Sequence, residues 1–185
     1  KKPEGKLHFI SIKDGQIIKS IKVGHTPDAL SIAPDGNLLF AANRFSNSIS
    51  VLDMKSKKVI KTIHVDREPV EVVISPDGKM IAVANLIASS ASTDEIISAK
   101  VSLIDRQSLQ VIRNVELANG SQSIRGLAFS KEGKYLYASH ILSRNNLPTT
   151  QIERGWINSN AVSIINMEKE AYVTSLMLDN YNRGA

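Results

Sequence analysis

The least generic chemistry in the chain lies between residues 139 and 160, Ser-His-Ile-Leu-Ser-Arg-Asn-Asn-Leu-Pro-Thr-Thr-Gln-Ile-Glu-Arg-Gly-Trp-Ile-Asn-Ser-Asn. This stretch gathers His140, Arg144, Arg154, the sole tryptophan Trp156, and Asn145, Asn146, Asn158 and Asn160. Tryptophan and arginine are the usual anchors of binding surfaces, because each combines a large contact area with directed hydrogen bonds. Two readings stay open. The stretch could fold onto its own scaffold, with Trp156 covering apolar surface and Arg154 paired with Glu153 or a neighbour. Alternatively it forms a binding loop, with His140, Arg144, Arg154, Trp156, Asn158 and Asn160 meeting a ligand or partner. A second candidate is the pair His25 and Arg67. They share one position of a repeat, in the loop before an inner strand. Such loops either line one face of the fold or sit in solvent.

No catalytic constellation accompanies these residues. His8, His25, His64 and His140 occupy different repeat positions, so a shared metal site is not expected. His140 alone reads as a hydrogen-bonded residue, with a partner contact or weak metal ligation as the alternative. Asp35 and Asp77 are turn residues, which argues against paired-carboxylate chemistry. There is no Gly-x-Ser-x-Gly elbow and no glycine-rich phosphate loop. Asn119-Gly120-Ser121 fits a glycosylation sequon, but Asn-Gly is better explained as a turn. Cysteine is absent. That excludes disulfides, thiol nucleophiles, thiolate metal sites and covalently attached c-type haem here. The expectation is no catalytic residue, no metal ligand and no cofactor in this segment.

Composition narrows the class further. The chain has 185 residues, 42% hydrophobic and 22% charged, ordinary globular proportions that argue against disorder. No run approaches the roughly 18 apolar residues of a spanning helix. The net charge of +5 is uneven, since residues 1–70 hold 12 Lys/Arg against 7 Asp/Glu. These lysines, Lys19, Lys22 and Lys61 among them, alternate with apolar residues instead of clustering with aromatics. They read as solvated outer-strand lysines, not as a nucleic-acid surface.

The elements that position these residues follow from internal repetition. Ile17–Val23, Ile-Ile-Lys-Ser-Ile-Lys-Val, aligns with Val59–Val65, Val-Ile-Lys-Thr-Ile-His-Val, at an offset of 42. The same offset places Pro27 on Pro69, Ala33-Pro34-Asp35-Gly36 on Ser75-Pro76-Asp77-Gly78, and Asn43 on Asn85. A third copy follows at Ser130-Lys131-Glu132-Gly133, 55 residues on, and Tyr172–Leu178 matches Val59–Val65 at an offset of 113. The second copy reads as strands at Val70–Ser75, Met80–Asn85, Lys100–Asp105 and Val111–Leu117. Pro-Asp-Gly makes a tight hairpin between the first two: proline presets φ, aspartate bonds the backbone ahead, and glycine accepts positive φ. Four short antiparallel strands in about 42 residues make a β-propeller blade. A β-sandwich explains short strands but not the fixed period.

Ile74–Asn85, Ile-Ser-Pro-Asp-Gly-Lys-Met-Ile-Ala-Val-Ala-Asn, resembles the repeat of YVTN-type, surface-layer-type β-propellers, as do Ser48–Asp53 and Val59–Val65. The resemblance implies an all-β propeller whose Pro-Asp-Gly strand is innermost and whose Val59-like strand is outermost. The repeats fall at 7–23, 27–65, 69–117 and 125–178, with enlarged loops at 86–99 and 139–160. The first loop, small and polar, reads as a flexible surface excursion. About 3.5 blades are too few to close a ring of four to eight, so residues 1–185 are expected to be part of a larger propeller of about seven blades.

The segment Pro148–Trp156, with Asn158–Ala161 after it, is also similar to a subgroup in which such a propeller precedes a di-haem domain like that of bacterial cytochrome c peroxidases. Two functions follow as expectations. One is a non-catalytic scaffold presenting loops to a protein, glycan or surface partner. The other is the propeller portion of an electron-transfer protein whose C-terminal redox domain lies outside this segment. A third, a lactonase-like enzyme with a central metal, needs a ring of acidic and Asn ligands not found in these blades. The resemblance implies a periplasmic, cell-surface or secreted bacterial protein. Its signal peptide would precede this numbering, since Lys1-Lys2-Pro3-Glu4 opens no apolar stretch.

Overall fold

A computed structural model describes residues 3–143 and 158–179. Among them lie fourteen strands, one turn of 3₁₀ helix and no α-helix. The alternating apolar residues of the sequence form β1 (Gly5–Ile10) and β2 (Ile17–Val23), a two-stranded sheet. Three four-stranded antiparallel sheets follow. The first blade is β3 (Pro27–Ile32), β4 (Leu38–Asn43), β5 (Ser48–Asp53) and β6 (Lys58–His64). The second is β7 (Pro69–Ile74), β8 (Met80–Asn85), β9 (Lys100–Asp105) and β10 (Gln110–Glu116). The third is β11 (Ser121–Phe129), β12 (Tyr135–Ser143), β13 (Asn158–Asn166) and β14 (Ala171–Met177). These are propeller blades, about 3.5 in number, as the period requires. β12 and β13 carry residues 139–143 and 158–160 of the second enlarged loop into the ladder, pairing His140 with Ala161 and Ser143 with Asn158.

Each blade meets the next through its first strand, β3 beside β7 and β7 beside β11. The middle strands β4, β5, β8 and β9 are buried on both faces, and β4 and β8 read as nearly continuous apolar runs. One core cluster joins the first two blades through Phe40, Val51, Val72 and Ile81. Another joins the second and third through Leu103, Val115, Ile124 and Leu136. The outer strands alternate instead: Ile63 of β6 and Val115 of β10 point inward while the flanking residues face solvent.

Lysines of the outer strands β2 and β6 stitch their sheets to the next. Lys19 Nζ of β2 donates to the Ser56 carbonyl of the first blade (3.3 Å), and Lys61 Nζ of β6 to the Ser108 carbonyl of the second (3.1 Å). Lys22 pairs with Glu4 at 2.9 Å in solvent. Of the expected outer-strand lysines, Lys22 is solvated, while Lys19 and Lys61 are half-buried and reach across to the next sheet.

Candidate functional site

The antiparallel order sends every between-blade loop, and every loop between second and third strands, to one face. Both candidate residues of the repeat pair lie there. The backbone before β3 turns through Thr26 at φ +52°, that before β7 through Glu68 at φ +54°, and that of β11 through Ser123 at φ +56°. A non-glycine residue in this left-handed region is uncommon. Its recurrence at one repeat position shows that the turn into the inner strand imposes it. Each turn grips the loop after the second strand, since Arg44 N donates to Thr26 O and Leu86 N to Glu68 O, both at 2.9 Å.

On this frame sits a compact cluster. His25 N donates to Ser46 Oγ (2.8 Å), and its ring Nδ1 lies 2.7 Å from Thr26 Oγ1. The imidazole meets Phe45 edge-on, with centroids 5.4 Å apart. Phe45 is 54% exposed, and the Arg44 guanidinium lies 5.1 Å above its ring. Arg44 Nε and Nη2 both donate to Glu68 Oε2 at 3.0 Å. Charge-assisted bonds of this kind hold a side chain in one geometry. Arg67 Nη1 donates to the Ala88 carbonyl (3.2 Å), and Ser89 Oγ to Asp66 Oδ2 (2.8 Å). The loop of residues 86–99 is therefore tied at its start. At its end Asn119 clamps it, accepting from Ile97 N (3.0 Å) and donating to Glu95 O (3.1 Å). Asn119-Gly120 is a turn, with Gly120 at φ +87°.

Only part of the second candidate group falls within the described residues. Arg144, Arg154 and Trp156 lie outside the described residues. Asn158 Oδ1 accepts from Ser143 Oγ (2.6 Å), and Asn160 Nδ2 donates to Asp179 Oδ1 (3.2 Å). His140 is 5% exposed, inside the third blade. Its Nδ1 lies 3.1 Å from the Ile141 carbonyl and its Nε2 2.7 Å from Ser163 Oγ. Burial holds its pKa below the ordinary histidine value. Ser163 Oγ bonds Ser175 Oγ (2.8 Å), and Ser175 Oγ bonds the Tyr172 hydroxyl (3.0 Å).

This buried polar column recurs in every blade, and the strand and turn patterns of the sequence do not announce it. Asn43 Nδ2 donates to Ser50 Oγ (2.9 Å), and Asn85 Nδ2 to Ser102 Oγ (3.0 Å), which donates to Asn114 Oδ1 (2.7 Å). Asn43, Asn85 and His140 each stand seven residues after a turn glycine, Gly36, Gly78 and Gly133. The offset of 55 that aligns the turns carries Asn85 onto His140, and that offset is the signal that could have found it. His140 is thus a structural histidine in an asparagine's place.

Comparison with known proteins agrees with this architecture. Residues 6–96, just under half of the chain, match the family model described as Lactonase, 7-bladed beta-propeller. Among curated proteins, the chain is 32% identical over 86 residues to hydrazine synthase subunit beta of Kuenenia stuttgartiensis, covering 46% of this chain and 22% of the relative. Among solved structures, it superposes on Kuenenia stuttgartiensis hydrazine synthase with a TM-score of 0.56 and 27% identity, covering 97% of this chain and 62% of that one. It also superposes on dihydro-heme d1 dehydrogenase NirN in complex with DHE, with a TM-score of 0.67 and 18% identity, covering 96% of this chain and 34% of that one. At that identity the likeness is one of fold. The chain spans less than two thirds of the length of each relative. Among the described residues no group of three or more His, Asp or Glu gathers to hold a metal, and no helix is long and apolar enough to cross a membrane.

Proposed function

We propose that this chain is a propeller scaffold whose loop face seats a partner protein or domain of a redox assembly, outside the cytoplasm. The observation that carries the reading is the cluster on that face. Phe45 stands half exposed, flanked by His25 and by Arg44, and Arg44 is locked to Glu68. An exposed aromatic held rigid by its neighbours loses little entropy on binding, which is how interface anchors work. Two likenesses support the redox partner. The curated relative is named as one subunit of hydrazine synthase, and a structural neighbour of the same fold is named as a dihydro-heme d1 dehydrogenase. The YVTN-type repeat and the Pro148–Trp156 segment point the same way, toward a di-haem domain as the partner. A glycan or surface partner for the same face is the weaker reading.

The full reading frame downstream of residue 185 tests the domain form, where two Cys-x-x-Cys-His motifs are expected. The subunit form is tested by purifying the tagged protein from its source and recording the haem absorption band of the complex. Phe45→Ala combined with Arg67→Ala is expected to remove that band from the purified fraction. Where the reading frame carries no such motifs, retention of haem by the double variant, or the absence of haem from the complex, overturns the proposal.

A further inference from the structure

The opposite face of the arc carries the Pro-Asp-Gly turns, and there the two joints between complete blades differ. At the joint of the first and second blades, Arg106 follows β9 and reaches back. Its Nη2 donates to Asp35 Oδ2, on the turn of the preceding blade, and its Nη1 donates to the Gly78 carbonyl at 3.3 Å. At the joint of the second and third blades the residue in this place is Met167. The equivalence is fixed by the backbone: Arg106 N donates to Lys79 O at 2.9 Å, and Met167 N donates to Lys134 O at 3.0 Å. The turns stack alike as well, since a Cβ built on Gly78 or on Gly133 would lie 3.5 Å from Cδ of Pro34 or Pro76.

The acceptors of the first joint are therefore repeated at the second, without the arginine. Asp77 takes the place of Asp35 and Gly133 that of Gly78. Asp77 Oδ1 is engaged by Ser75 Oγ (2.6 Å) and Lys79 N (3.1 Å). Among the described residues its Oδ2, the counterpart of the oxygen that binds Arg106, meets only the Lys79 ammonium, 3.8 Å away, in a pair largely open to solvent. Between the turns lies a crevice of about 570 Å³. Met80, Phe129 and Met167 give it apolar walls, and its rim carries Asp77, Glu132 and Glu168 against Lys79 and Lys134. The rim thus favours a cation, and the walls suit an aliphatic stem.

We propose that this crevice is a receptor for a guanidinium group, supplied by an arginine side chain of a partner polypeptide. The molecule holds the template for that contact in its own first joint, where a guanidinium bridges an aspartate and a glycine carbonyl in a forked geometry that an ammonium cannot copy. The site lies on the face opposite the loop cluster and does not depend on the function proposed above.

The test titrates the full chain with acetyl-Gly-Arg-Gly-amide and follows the amide resonances of Asp77, Lys79 and Gly133. A saturable shift is expected, roughly tenfold weaker with the lysine peptide, since the fork is lost. It should vanish in Asp77→Asn, which keeps the Oδ1 contacts, and in Met167→Arg, which fills the crevice from within. Met167→Arg should also raise the thermal midpoint, and adding Asp77→Asn should cancel the gain. No shift, an equal response to lysine, binding that survives Asp77→Asn, or no stabilisation by Met167→Arg would overturn the proposal. Tighter binding of free arginine than of the peptide would overturn its polypeptide source.

Discussion

A single position, seven residues past each turn glycine, decides how a blade satisfies its interior. Asparagine fills it twice and histidine once, and each side chain bridges the second strand to a serine on the third. Removing a buried hydrogen-bond partner costs about 1–3 kcal/mol, because the group left behind loses water without compensation. His140→Ala should therefore lower the unfolding free energy by about that amount, and His140→Asn by less, as read from urea midpoints. The histidine also makes stability depend on pH. Burial depresses its pKa in the fold, so the unfolded chain takes up the proton more readily. Its contribution is full above the unfolded value of about 6.5 and is lost as pH falls from there toward the folded value. Urea midpoints at about pH 7.5 and about pH 5.5 should differ more for the wild type than for His140→Asn.

At the scale of elements, the turns do most of the specifying. Gly36 sits at φ +72°, and a Cβ added there would have nothing within 4 Å. Gly36→Ala should cost about 1 kcal/mol, from backbone conformation alone. Gly120, at φ +87°, would bring a Cβ within 2.0 Å of the Ser143 carbonyl oxygen. Gly120→Ala should cost about 2 kcal/mol or more, since backbone strain and a clash against a paired strand add. Thermal melts of the two variants compare the effects directly. The strands β8 and β9 fall where Pro-Asp-Gly and alternation place them, residue for residue. The inner strand β7 and outer strand β10 each begin one residue earlier. Other features are not legible in the sequence. Arg44 meets Glu68, and Arg106 meets Asp35, across repeats, so local spacing says nothing of either pair. His140 is disguised by its chemistry, which differs from asparagine's although its place in the fold does not.

Across the whole molecule, burial falls from the middle of each blade outward. Phe40 and Ala82 on second strands and Val51 and Leu103 on third strands are fully buried, while Ile60 and Ile112 on fourth strands are 53% and 45% exposed. In an array of stacked units, stability comes from each unit and its contacts with its neighbours. Native-state hydrogen exchange should therefore be slowest in β4, β5, β8 and β9, and faster in the outer strands β6 and β10, whose residues mostly face solvent. Equal protection of the middle and outer strands would contradict this ranking.

The arginine that spans one seam and is replaced by methionine at the next should make the arc unequally stiff. Flexing should concentrate where the second blade meets the third. Spin labels straddling that seam should report a broader spread of distances than a pair straddling the first.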